Sequence, residues 1–191
     1  MLKSLLLFSL LSVAAALTVN VEVDTTASKV TWKGYKVTGS HAGTIDVKSG
    51  SLELAEGMLT GGSFAIDMAS LKVTDGSERM NEKLGGHLKS EDFFGVEAHP
   101  AATFTITKVV SRGTPGDYRV TGNITIKGIT KSIKFNAKVA EADGLYTATA
   151  DLKLDRTDFD VQYRSGSFFE QLGDKTIYDE FDLGISLVTK K

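Results

Sequence analysis

Cysteine is absent from the 191 residues. That excludes thiol catalysis, cysteine-ligated metal sites and disulfides, so a packed core must hold the fold together. Charge is nearly balanced, with 22 Lys and Arg against 24 Asp and Glu, and no basic stripe marks a nucleic-acid partner. No G-x-S-x-G elbow occurs, and no nucleophile sits in a recognisable pairing with a base. The three histidines, His41, His87 and His99, have no short ligand spacing, so no metal site is expected. No linker, low-complexity tract or fixed repeat divides the chain, which disfavours solenoids and propellers.

Long apolar runs are missing too, with one short exception at the start. Met1-Leu2-Lys3 is a basic opening, residues 5–13 (LLLFSLLSV) form an apolar core, and Ala14-Ala15-Ala16 supplies small residues. The run falls short of the roughly 20 residues of a spanning helix. It reads as a secretory signal peptide, residues 1–16, cleaved near Ala16. The expectation is a periplasmic or secreted protein whose residues 17–191 form a single domain.

Period-2 alternation dominates the remainder, the pattern of strands with one buried face. Val30, Trp32 and Gly34 share a face, as do Gly62, Phe64, Ile66 and Met68. Phe104 and Ile106 follow, then Tyr118 through Ile126, then Ile133 through Val139. Lys127-Gly128 and Asp143-Gly144 are turn signals. Residues 75–88 place Met80, Leu84 and Leu88 at helical spacing, a short helix with a break expected at Gly85-Gly86. Ser90 can cap a further turn over 91–94 ending at Gly95, and residues 162–179 read as a loop or short helix. About eight antiparallel strands in one domain predict an all-β closed barrel or a sandwich.

Five segments then carry a resemblance. WKGYKVTGSHAGTIDVKSGSLEL (32–54), GGSFAIDMASLKVTD (61–75), HLKSEDFFGVEAHPAATFTITKV (87–109), YRVTGNITIKGITKSIKFN (118–136) and LDRTDFDVQY (154–163) resemble the YceI-like family, in its order. The resemblance implies an exported, lipocalin-like antiparallel barrel with a short helical insertion. It also implies an internal tunnel holding a polyisoprenoid or similar amphiphile. Two positions depart from the pattern: His99 stands where an aromatic is expected, and Asp160 where glycine is expected.

The expected tunnel lining is Trp32, Phe64, Ile66 and Phe104, with Ile106, Ile124, Phe135 and Leu152. Phe93 and Phe94 are expected to plug one end, with His41 and Arg156 at an end or mouth. Arg156 has two readings, an ion pair that fixes a loop or a contact to a polar ligand head. Alternation alone leaves a filled core and a hollow one both open, since eight-stranded barrels occur in either form. The small residues Gly34, Gly62, Gly122, Ala137, Ala148 and Ala150 on inward faces, together with the resemblance, favour the tunnel.

The functional expectation is a lipid-binding protein for carriage, storage or sequestration, without cofactor or catalytic residue. One alternative is an enzyme acting on an isoprenoid-type lipid in the tunnel. Another is an outer-membrane barrel, against which stand one Trp, five Tyr and the Lys190-Lys191 ending.

Overall fold

The computed structural model describes residues 17–191, so the expected signal peptide lies outside the described residues. Nine strands follow one another: β1 (Thr18–Glu22), β2 (Lys29–Lys36), β3 (Gly39–Ala55), β4 (Met58–Val73), β5 (Ala101–Ser111), β6 (Asp117–Ile126), β7 (Ile129–Ala142), β8 (Leu145–Asp155) and β9 (Ile177–Val188). All their pairings are antiparallel, and β3–β2–β9–β8–β7–β6–β5–β4 returns to β3 as a closed ring of eight. The ninth, β1, lies outside that ring along residues 51–55 of β3. Of the closed barrel and the sandwich that alternation left open, the barrel is present, with one added strand.

Turn chemistry sets the meander. Lys127-Gly128 and Asp143-Gly144 both have positive φ at each residue, the type I′ geometry that matches strand twist. Glu56-Gly57 makes a third turn of this kind. The excursion between β4 and β5 holds the helix α1 (Glu78–Lys89). Register places α1, the Lys127-Gly128 turn and a 3-10 turn (Arg156–Phe159) at one end of the barrel. The other end carries β1 and the Asp143-Gly144 turn.

Simple alternation fails where strands bulge. After Asp46↔Asp67, the next β3–β4 pair is Thr44↔Lys72, so β4 carries extra residues. That bulge brings Leu71 and Val73 onto the buried face that Met68 began. The helix also differs from expectation, because α1 runs unbroken through Gly85 and Gly86. Within residues 162–179 the chain forms a 3-10 turn, Gly173–Lys175, and β9 already begins at Ile177.

Packing is uneven along the barrel axis. The end away from α1 is a filled core that includes Leu52, Val120 and Leu187. The β4–β5 ladder covers only Ser63–Asp67, and Tyr118 fills the wall beyond it, its hydroxyl accepting the Leu59 amide at 3.3 Å. The β7–β8 ladder is also short, running from Ala137↔Ala150 to Ala142↔Leu145. Its neighbours are zipped as far as the α1 end, β8–β9 up to Asp155↔Glu180 and β6–β7 up to Ile126↔Ile129.

Candidate functional site

Under α1 the barrel is hollow, with a cavity of about 190 Å³. Val30 and Trp32 reach it from β2, Ile66 and Met68 from β4, Ile124 and Ile126 from β6, and Phe181 and Leu183 from β9. Each pair is two residues apart, as a shared inward face requires. The helix closes the top with Leu84 and Leu88, four residues apart and so on one side of α1. Asn81 fastens the start of this lid, accepting from the Gly76 amide (3.0 Å) and donating to its carbonyl (3.1 Å).

Phe93 and Phe94 follow from local chain chemistry. The Ser90 hydroxyl donates to the His87 carbonyl at 2.8 Å, and the next turn closes on Gly95 at φ 53°. Phe93 is thereby buried, with ring centroids 5.2 Å from His87 and 5.5 Å from Tyr163. Both phenylalanines line the cavity at the α1 end of the barrel.

Arg156 also reaches the cavity wall, but its hydrogen bonds go to the chain itself. Nε donates to the Tyr178 carbonyl (3.1 Å) and Nη1 to that of Val161 (2.6 Å). Nη2 serves both the Ile177 carbonyl (3.0 Å) and the Asp179 carboxylate (3.1 Å). The side chain is 4% exposed, so burial pulls its pKa below the ordinary arginine value, opposed by Asp179 and Asp155. The guanidinium locks the 3-10 turn to the start of β9, which is the loop-fixing role. Asp160 ends that turn in the left-handed region at φ 57°, a conformation that glycine favours and Asp tolerates.

His41 stands at the cavity edge, its Nδ1 3.4 Å from one Asp75 oxygen while the other accepts the Ala42 amide. Tyr35, beside it on the rim, donates to Asp182, and that bond holds its phenol above the usual range. Trp32 extends over Gly43 and donates from Nε1 to the Lys72 carbonyl at 3.2 Å. Among the described residues, no three His, Asp or Glu side chains gather as a metal-binding group.

The expected lining therefore divides. Trp32, Ile66 and Ile124 surround the cavity together with His41, Phe93, Phe94 and Arg156. Phe64, Phe104 and Phe135 instead stack beneath it, with centroids 6.4 Å apart for the first pair and 5.5 Å for the second. Ile106 joins that layer against Gly62, and Leu152 lies opposite Leu183.

Two inward glycines expected to leave room for a ligand leave room for rings instead. A Cβ at Gly122 would lie 2.4 Å from Phe104, and one at Gly62 would lie 2.7 Å from the Ser51 carbonyl oxygen and 3.3 Å from Phe64. Gly34 is different: it lines the cavity, and a Cβ there would meet nothing within 4 Å. The sequence reading missed Leu71, Phe181 and Leu183 as lining residues. The last two lay in an evident alternation, whereas Leu71 depends on a bulge that composition does not mark.

Comparison with known proteins agrees with this architecture. The profile of the YceI-like domain matches residues 21–189. A UPF0312 protein of Pectobacterium atrosepticum is 49% identical over 53 residues, 28% of this chain and 27% of that protein. One from Shewanella denitrificans is 34% identical over 86 residues, 40% of this chain and 44% of the relative. These alignments thus span less than half the length of those relatives.

Among solved structures, Burkholderia cenocepacia BcnA superposes with a TM-score of 0.71 at 21% identity, covering 88% of this chain and 99% of its own. A polyisoprenoid binding domain from Saccharophagus degradans, implicated in plant cell wall breakdown, gives 0.66 at 13% identity, covering 92% and 99%. At these identities the likeness is one of fold.

Proposed function

This chain belongs to the YceI-like family, and from that premise we propose that it binds a polyisoprenoid or similar long apolar amphiphile inside its barrel, for carriage, storage or sequestration. The observation that carries this reading is the cavity under α1, about 190 Å³ and walled by side chains such as Trp32, Ile66, Leu88 and Phe93. An apolar cavity of roughly 150 Å³ stays dry and accepts benzene, so this one has room for a segment of hydrocarbon chain. Burying one isoprene unit contributes about 3–4 kcal/mol before ordering costs. With Arg156 satisfied by the chain, affinity rests on the tail more than the head. The polyisoprenoid binding domain of the Saccharophagus neighbour lends support from a protein of the same fold.

The proposal includes export, supported by the basic, apolar and small-residue order of residues 1–16. It also treats residues 17–191 as one functional unit. Catalysis has little to work with, since among the described residues no side-chain hydroxyl is hydrogen-bonded to the imidazole of the His41–Asp75 pair. The outer-membrane reading fares poorly as well: Thr103, Thr105, Lys134 and Lys138 present a polar outer surface while the apolar face points inward.

Organic extraction of protein purified from its own host, followed by mass spectrometry, tests the function. An isoprenoid-type lipid is expected in the extract. Protein that carries no lipid and takes up none of a supplied isoprenoid series would overturn the reading.

A further inference from the structure

We propose that the bound chain leaves the cavity sideways, through an unzipped window in the barrel wall between β7 and β8. Ile133, Phe135 and Leu152 then form a second, lateral section of the binding site. This rests on the lipid-binding reading above and specifies the path of the ligand.

The window follows from register. Above Ala137↔Ala150 the two strands part, and among the described residues no ladder partner faces residues 129–136 on the β8 side. The 3-10 turn bounds the opening at the top, where Lys131 Nζ meets Asp158 at 3.1 Å and Lys127 Nζ donates to the Asp160 carbonyl at 3.0 Å. Exposed contacts of this kind hold only weakly, so the upper edge can yield cheaply.

The other short ladder is plugged by a side chain. Beyond the β4–β5 pairs, Tyr118 and Leu59 are buried and the wall is filled. At the β7–β8 gap, Ile133, Phe135 and Leu152 face inward by alternation and are only partly buried, as is Ile106 beside the other gap. Directly below, where the ladder resumes, Ala137, Val139 and Ala148 are buried. An apolar inward face left partly open is where an apolar chain gains most by docking.

The opening adjoins the cavity wall. Leu152 pairs with Leu183, which lines the cavity, and the Phe135 ring packs on Phe104, whose cross-strand partner Ile124 lines it as well. Volume gives the reason to leave. A space of about 190 Å³ holds only a short piece of a polyisoprenoid, and the Phe64–Phe104–Phe135 layer blocks descent along the axis. The unpaired backbone groups on the lips need water at the outer rim, which favours a slim isoprenoid chain over a bulky ring system.

The cysteine-free sequence makes a direct test possible. Single variants Leu152→Cys and Ile133→Cys, one on each lip, would be labelled with a water-soluble maleimide, with Thr105→Cys on the outer face as control. Labelling rates would be compared without ligand, with geraniol and with its longer homologue geranylgeraniol, while equilibrium dialysis measures binding separately. With geranylgeraniol at ten times its dissociation constant, labelling at both lips should slow by about tenfold. Geraniol, short enough to stay under α1, should leave both rates unchanged, as should either alcohol at Thr105→Cys. If one lip variant fails to fold, the other carries the test. Geranylgeraniol that binds yet leaves the lips fully reactive would overturn the lateral path while lipid binding stands. Equal protection by geraniol would overturn it too. Absence of binding by both alcohols in dialysis would remove the functional reading itself.

Discussion

The Phe104 ring lies against the backbone of Gly122, so close that a Cβ there would sit 2.4 Å from one ring carbon and 2.6 Å from the Thr105 carbonyl oxygen. The ring could move only at the expense of its stacking on Phe64 and its packing against Phe135, and the carbonyl belongs to the β5 backbone. Gly122→Ala should therefore destabilise the barrel by about 1–3 kcal/mol through overpacking. Phe104→Leu in the same chain should recover only part of the loss, because the carbonyl contact remains. Urea unfolding of the two single variants and the double variant measures this coupling. Additive costs would show that the ring and the glycine are independent.

Arg156 joins three carbonyls and one carboxylate from segments that no ladder connects. Arg156→Met keeps much of the stem but strands Asp179 and the carbonyls of Val161, Ile177 and Tyr178. Removing one member of such a buried pair costs about 3–5 kcal/mol. A thermal unfolding midpoint close to that of the unaltered protein would show that these groups find water instead.

Much of this architecture was legible because its causes are local. Alternation through Tyr118, Val120, Gly122, Ile124 and Ile126 needs only the pleat, and Asp143-Gly144 needs only positive φ. The turn that carries Phe93 and Phe94 was readable because Ser90 and Gly95 bracket it. What escaped depends on pairing at a distance. Leu71 turns inward only because β3 and β4 run out of register, and whether Gly122 faces a ligand or a ring depends on β5. The β7–β8 window leaves no trace in composition, since Ile133 and Phe135 alternate as any buried strand would. The helix ran through Gly85-Gly86 because its Leu88 is buried against the barrel, outweighing roughly 1 kcal/mol of lost propensity per glycine.

Tyr35 supplies a pH signature. Its hydrogen bond to Asp182 comes first among the causes that raise its phenol, followed by desolvation and the carboxylate charge. A folded-state pKa above the unfolded value means the stabilising contribution is fully present below the ordinary phenol value of about 10 and is lost as pH rises through the raised value. Tyr35→Phe should lower stability at neutral pH and flatten the alkaline decline. Urea midpoints measured from neutral to strongly alkaline pH check this. Parallel curves for the two proteins would locate the alkaline transition elsewhere.

Adjacent positions on β6 test which face of the sheet holds the ligand. Ile124 is buried and lines the cavity, whereas Asn123, the next residue, is exposed on the outer face. Ile124→Asp places a carboxylate among Ile66, Phe181 and Leu183, where it must either lose its charge or draw in water. Either response opposes an apolar tail. Losing the burial of even one isoprene unit costs about 3–4 kcal/mol, so affinity for geranylgeraniol should fall by at least about a hundredfold. Asn123→Asp changes charge by the same amount without touching the cavity, and binding should stay within about twofold of the unaltered protein, as expected for a solvent-exposed charge. Circular dichroism on both variants separates lost binding from lost fold. A folded Asn123→Asp protein that no longer binds, beside a folded Ile124→Asp protein that does, would invert inside and outside and bring the membrane-barrel reading forward.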